Sequence, residues 1–146
     1  MMNLSVVIVN WNSGEYLTRV LKSLDELRGD LGTIWVVDNA SEDSNLDRLD
    51  RCADLNILRF KENLGFAGAA NEGILQTHSE FVMLLNPDVE VDPRSVRLMY
   101  KEIELQPDTA IVCGALTNEN GETQRSFQIQ KLPTWKSVLL EACFVD

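Results

Sequence analysis

The sequence predicts an α/β fold, with a mostly parallel sheet carrying helices on both faces in three layers. Three observations carry that reading. Short runs rich in Val, Ile and Leu recur along the chain, continuous in the way that strands buried on both faces require. Stretches with apolar residues at helical spacing separate them. Polar residues gather directly after the strand runs, at the end of a parallel sheet where ligands bind.

The elements follow in order. Ser5–Asn10 (SVVIVN) is a β-branched run bounded by Trp11-Asn12-Ser13-Gly14, and reads as a buried strand and a turn. Asn12 with Glu15 has the spacing of a capping box. Tyr16, Leu17, Val20, Leu21, Leu24 and Leu27 recur at helical spacing, so a helix is expected to end near Gly29. Thr33–Asp38 (TIWVVD) is a second buried strand, and Leu46, Leu49 and Ala53 suggest a short helix after a polar turn. Asn56–Phe60 is a third strand. Leu64–Thr77, rich in Ala and Gly, reads as a loop entering a closely packed helix. Phe81–Asn86 (FVMLLN) is a fourth strand, with Met83, Leu84 and Leu85 expected in the core. Asp92-Pro93 supplies an N-cap followed by Pro at the first helical position, and that helix stops at Gln106-Pro107. Thr109–Leu116 is expected as a fifth strand, Asn118–Gly121 as a turn, and Thr123–Gln130 as a loose strand. Leu132–Val145 has an amphipathic helical pattern.

Composition bounds the function. The chain has 146 residues, 45% of them hydrophobic, and carries a net charge of -10. That length can bury a core without disulfides. The charge excludes a basic footprint for nucleic acid, so an anionic ligand would need a local device such as a cation or backbone N–H groups. Cys52, Cys113 and Cys143 show no CxxC spacing, and His78 is the one histidine. A disulfide framework or Cys/His zinc site is therefore not expected, and a reduced, cytoplasmic setting is. No apolar run reaches the length of a membrane span, and no signal peptide is indicated.

Taken singly, the strand-end residues have bland readings. Asp38 bonds the next turn through its side chain, Asn10, Asn39 and Asn63 are loop residues, and Asn86-Pro87-Asp88 is a turn former. Trp35 reads as packing, whereas Trp11 divides equally between packing and ligand contact. The order and spacing of four stretches together are more specific: Val6–Leu17 (VVIVNWNSGEYL), Val36–Asn45 (VVDNASEDSN), Glu62–Ile74 (ENLGFAGAANEGI) and Leu84–Pro93 (LLNPDVEVDP). They resemble the glycosyltransferases of family 2, whose fold is the Rossmann-like GT-A sandwich. Within that family they look most like rhamnosyltransferase-type members that build bacterial polysaccharides.

The resemblance implies roles. Asp38 would accept a hydrogen bond from the pyrimidine N3–H of a UDP- or dTDP-linked sugar, with Val9 and Asn10 against the same base. Asn63 and Gly65 would begin a loop lying close to the nucleotide, and Asn71 would face the donor from the following helix. Asn86-Pro87-Asp88 stands where the family has a DxD motif, with Asn86 in place of its first Asp. Asp88 would then be the main ligand of Mg²⁺ or Mn²⁺, and Asn86 would offer a neutral carbonyl or contact the ribose. The expected reaction is inverting transfer to a saccharide or lipid-linked acceptor, in the cytoplasm at the inner face of the membrane. No carboxylate after Leu116 fits the base that would take the acceptor proton; Glu119 and Glu122 lie in a turn, and Glu141 and Asp146 on or after the last helical pattern. The sequence is thus expected to comprise a donor-binding subdomain, 1–116, and the start of an incomplete acceptor-side region, 117–146. The apolar stripe of the latter would pack on missing sequence or on a second copy of the chain.

Other classes fit less well. A nucleotidyltransferase needs a glycine-rich, basic loop after the first strand, and Asn10–Gly14 has one Gly and no Lys or Arg. A receiver-type signalling module needs an acidic pair there and a Lys after the fifth strand. A fragment or pseudoenzyme that binds nucleotide without turnover fits the missing base.

Overall fold

The computed structural model describes residues 1–43, 46, 55–118 and 120–124. Its elements are β1 (Leu4–Asn10), α1 (Glu15–Ser23), a single 3-10 turn (Asp25–Leu27), β2 (Ile34–Asp38), β3 (Asn56–Arg59), α2 (Gly65–Leu75), β4 (Phe81–Leu85) and α3 (Pro93–Leu105). The chain divides into two compact units, Met1–Val112 and Cys113–Asp146.

The four strands are parallel, in the order β3-β2-β1-β4. Alternation along β1 assigns its side chains to two cores. Leu4, Val6 and Ile8 pack with Leu17, Val20 and Leu21 of α1 and with Val96 of α3. Val7 and Val9 point the other way, onto Val37 of β2 and Ala69 and Ala70 of α2. The result is the three-layer sandwich expected from the sequence, with β1 buried along its whole length. Each fully buried Val or Leu contributes on the order of 1.5–3 kcal/mol.

Helix α2 lies close to the sheet because its inner face is made of small residues. A Cβ added at Gly73 would stand 2.6 Å from Val7 Cγ1 and 2.7 Å from Val37 Cγ2. Helix α3 starts as its sequence predicts: Asp92 Oδ2 accepts from Ser95 N at 2.9 Å, and Pro93 occupies the first turn.

Several expectations are corrected. Asn12 and Glu15 form no capping box; Gly14 is the N-cap of α1, without a side-chain bond, and Asn12 turns to a different loop. Thr109–Leu116 forms no strand of the sheet. Its β-branched residues favour extended backbone, but a strand also needs a partner ladder, and no described strand pairs there. Strand β4 is an edge among the described strands, so Leu84 is 47% exposed while Leu85 is buried. Trp35, by contrast, packs on the α2-side core as expected.

In the second unit, Thr117 and Thr123 form an isolated antiparallel bridge. The turn between them is closed by Gly121 N donating to the Asn118 carbonyl at 2.9 Å. The expected helix around Leu49 and Ala53, most of the Thr123–Gln130 strand and the Leu132–Val145 pattern lie outside the described residues.

Candidate nucleotide site at the strand ends

Parallel strands bring their carboxyl ends to one edge. The register pairs Asn10 with Asp38 across β1 and β2, and Ile8 with Leu85 across β1 and β4. Asn86 therefore leaves the sheet close to the level at which Asn10 ends β1. The chain runs outward from β1 to β2 and β3, then returns to β4 on the other side of β1. The reversal lies between β1 and β4, and in open α/β sheets ligands bind in the crevice at such a reversal. The loops after β1 and β4, which flank it, hold Trp11–Gly14 and Asn86–Val91.

Asp38 and Asn10 are both buried, at 6% and 1% exposure. Asn10 Nδ2 donates to Asp38 Oδ1 at 3.1 Å and to Ser41 Oγ at 3.0 Å. Ser41 N approaches the same Asp38 oxygen at 3.4 Å. Every bond to the carboxylate thus falls on Oδ1, and Oδ2 has no partner among the described residues. A carboxylate oxygen left in this way accepts a ligand N–H strongly, since charged hydrogen bonds are worth about 1.5–3 kcal/mol. Val9 is buried beside Asn10.

The loop before α2 is tied to the end of β2 by Asn39, which sequence reasoning counted only as a loop residue. Asn39 is buried; its Nδ2 donates to Asn63 Oδ1 at 2.8 Å, and its Oδ1 accepts from Leu64 N at 2.8 Å. Asn63 Oδ1 also accepts from Gly65 N at 2.8 Å. Gly65 has φ of 71°, a left-handed conformation that glycine adopts without steric cost. Asn63, Gly65 and Asn71 are all exposed.

On the far side of the crevice, Asn86 and Asp88 are exposed in a turn closed by Val89 N donating to the Asn86 carbonyl at 3.2 Å. The loop is fastened to α1: Val91 N donates to Ser23 Oγ at 3.1 Å, and Glu90 pairs with Arg19. Among the described residues no three His, Cys, Asp or Glu side chains converge on one point. With Glu90 paired to Arg19, Asp88 and Asn86 are the loop's exposed carboxylate and amide carbonyl, both hard oxygen donors. That set fits Mg²⁺ or Mn²⁺ as a shared site, where one carboxylate and substrate phosphates complete the shell.

Trp11, for which packing and ligand contact were equal readings, follows the end of β1 and is 58% exposed among the described residues. Tyr16 is exposed on the first turn of α1, with the Arg19 guanidinium 6.0 Å from its ring centre.

Comparison with known proteins extends this picture. The family model described as Glycosyl transferase family 2 matches residues 5–142. The low-salt glycan biosynthesis hexosyltransferase Agl10 of Haloferax volcanii is 29% identical over 123 residues, 82% of this chain and 38% of that protein. The poly-beta-1,6-N-acetyl-D-glucosamine synthase of Staphylococcus aureus is 24% identical over 143 residues, 96% of this chain and 34% of that one. Among solved structures, S. aureus TarS 1-349 superposes with a TM-score of 0.62 at 25% identity, covering 71% of this chain and 33% of that chain. The same TarS piece has been solved in complex with UDP, again at a TM-score of 0.62. The chain spans about a third of the length of these relatives.

Proposed function

The chain belongs to glycosyl transferase family 2 and has its GT-A fold, and from that premise we propose that residues 1–116 bind a pyrimidine nucleotide-diphosphate sugar for transfer into a glycan. The observation that carries the reading is the Asp38 carboxylate, buried at a strand end with one oxygen engaged and the other without a partner among the described residues. That oxygen accepts the imide N3–H of uracil or thymine, and cytosine offers no such N–H. The UDP complex of TarS supports the nucleotide class.

In this reading Val9 and Asn10 floor the base, and the Asn63–Gly65 loop, held by Asn39, lies along the nucleotide. Asn71 faces the donor from α2. Asp88 holds a divalent cation with help from the Asn86 carbonyl. Mg²⁺ or Mn²⁺ there supplies neutralisation of the charge that develops on the departing diphosphate. It also resolves how a chain of net charge -10 holds an anion.

The proposed reaction is inverting transfer to a saccharide or lipid-linked acceptor at the cytoplasmic face of a membrane. Among the described residues no helix is long and apolar enough to cross one. Rhamnose is the donor sugar suggested by the sequence resemblance, and the relatives add hexose and N-acetylglucosamine as candidates. No residue of this chain is assigned as the base, so donor binding with little transfer is proposed for the chain alone. A second copy docking through the Leu132–Val145 stripe completes the proposal.

Ligand-observed NMR tests the donor reading. Saturation of the folded protein should reach the base protons of UDP and dTDP. Absence of transfer to both would remove the reading.

A further inference from the structure

Among the described residues two that are not glycine hold positive φ, Asn12 at 51° and Ala40 at 64°. Asparagine tolerates this region through local hydrogen bonding, but alanine has no side-chain bond to offset the strain. Strained backbone persists where its surroundings over-determine it, and it gathers at functional sites.

The surroundings here form a reciprocal clamp between the loops after β1 and β2. Asn12 N donates to Ser41 Oγ at 2.9 Å, while Asn12 Oδ1 accepts from Glu42 N at 2.7 Å. Gly14 N donates to Asp43 Oδ2 at 3.2 Å. Ser41 is the node, because its Oγ also accepts from Asn10 Nδ2, and that same amide nitrogen donates to Asp38 Oδ1. With its own N donating to Asp38 Oδ1 at 3.4 Å, Ser41 reaches the carboxylate by two routes.

Rotating the Asn10 amide would turn its carbonyl oxygen toward a carboxylate oxygen, so the observed orientation is the one the charge permits. It leaves Asn10 Oδ1 buried and without a partner among the described residues. A polar atom without a partner costs stability, so the Asn10 amide is held in this orientation by its two donated bonds, to Asp38 and to Ser41.

We infer that Ser41 is a positioning residue of the candidate base site, fixing the Asp38 carboxylate through the Asn10 amide so that Oδ2 alone is left for the ligand's imide N–H. The inference rests on Asp38 as the base-binding group. Ser41 touches no ligand in this account; it sets the rotation of the group that does.

A double-mutant cycle on the full chain tests it, with UDP affinity measured calorimetrically for wild type, Ser41→Ala, Ser41→Thr, Asp38→Ala and the Ser41→Ala/Asp38→Ala pair. Ser41→Ala should weaken UDP about tenfold, the scale of one hydrogen bond, and Ser41→Thr, which keeps the hydroxyl, should restore most of it. In the Asp38→Ala background the serine change should cost less than about twofold, because coupled residues are not additive. Affinity for pyrophosphate, which lacks a base, should not change. Equal losses in both backgrounds, or an equal loss for pyrophosphate, would overturn the positioning role and leave the base reading standing. Undiminished UDP binding by Asp38→Ala would remove the base reading and the inference together. If Ser41→Ala melts below the assay temperature, Ser41→Cys replaces the oxygen with a weak acceptor at similar volume and runs through the same cycle with the same outcomes.

Discussion

Asn39 Nδ2 donates to Asn63 Oδ1 at 2.8 Å, joining the end of β2 to the loop that opens α2 across 24 residues of sequence. With Leu64 N donating back to Asn39 Oδ1, one buried amide fixes both the side chain and the backbone of that loop. Asn39→Ala would leave Leu64 N and Asn63 Oδ1 each short of a partner. It should destabilise the protein by about 1–3 kcal/mol, read as a lower midpoint in urea. An unchanged midpoint would show that water replaces the amide without loss.

Gly73 sets two effects against each other. Helix propensity favours Ala over Gly by about 1 kcal/mol. Here, however, the new methyl would meet Val7 and Val37 at 2.6 and 2.7 Å, on a sheet buried behind them. Overpacking typically costs about 1–3 kcal/mol, so Gly73→Ala should come out net destabilising. A stabilised variant would mean that α2 can lift from the sheet at little cost.

The Asp92 cap makes a pH-dependent contribution. Hydrogen bonds from the Ser95 hydroxyl and backbone hold its carboxyl below the usual carboxylate range. A lowered folded pKa stabilises at pH values above the unfolded one, about 3.9, and that stabilisation is lost as pH falls through the folded value. Thermal melts should therefore place Asp92→Ala below wild type at pH 7, with the gap narrowing under pH 4. A gap independent of pH would assign the cap to geometry alone.

The role proposed for Asp38 predicts base discrimination. UDP and dTDP present N3–H, whereas CDP presents an unprotonated N3 to the same carboxylate. A site built around that bond should disfavour CDP about tenfold or more. Competition titration against UDP measures it, and equal affinities would show that Asp38 does not read the base edge.

Much of this was legible in the sequence, for reasons that particular residues show. β1 and β2 were readable because burial on both faces demands an unbroken run such as Val6–Val9, and α3 because Asp92-Pro93 is a local signal. Thr109–Leu116 misled because β-propensity is local while a ladder partner is not. Asn12 misled because two fates compete for one side chain, and the clamp to Glu42, 30 residues away, won over capping α1. Asp38 and Asn10 could be named from the resemblance, but their bond needed the register between β1 and β2. The roles of Asn39 and Ser41 rest on contacts between loops that no spacing rule encodes. Gly73 carried a weak signal, since it continues the small-residue face of Ala69 and Ala70 by helical spacing.

The central claim is that two carboxylates divide the work on one nucleotide diphosphate, Asp38 on the base and Asp88 on the cation. Calorimetric titration of UDP into wild type, Asp38→Ala and Asp88→Ala, with and without Mn²⁺, tests it most directly. Asp38→Ala should weaken binding by about ten- to a hundredfold whether or not Mn²⁺ is present, the scale of a charged hydrogen bond. Asp88→Ala should abolish only the part of the affinity that Mn²⁺ adds. Equal, metal-independent losses in the two variants, or no heat from the folded wild type, would contradict the account.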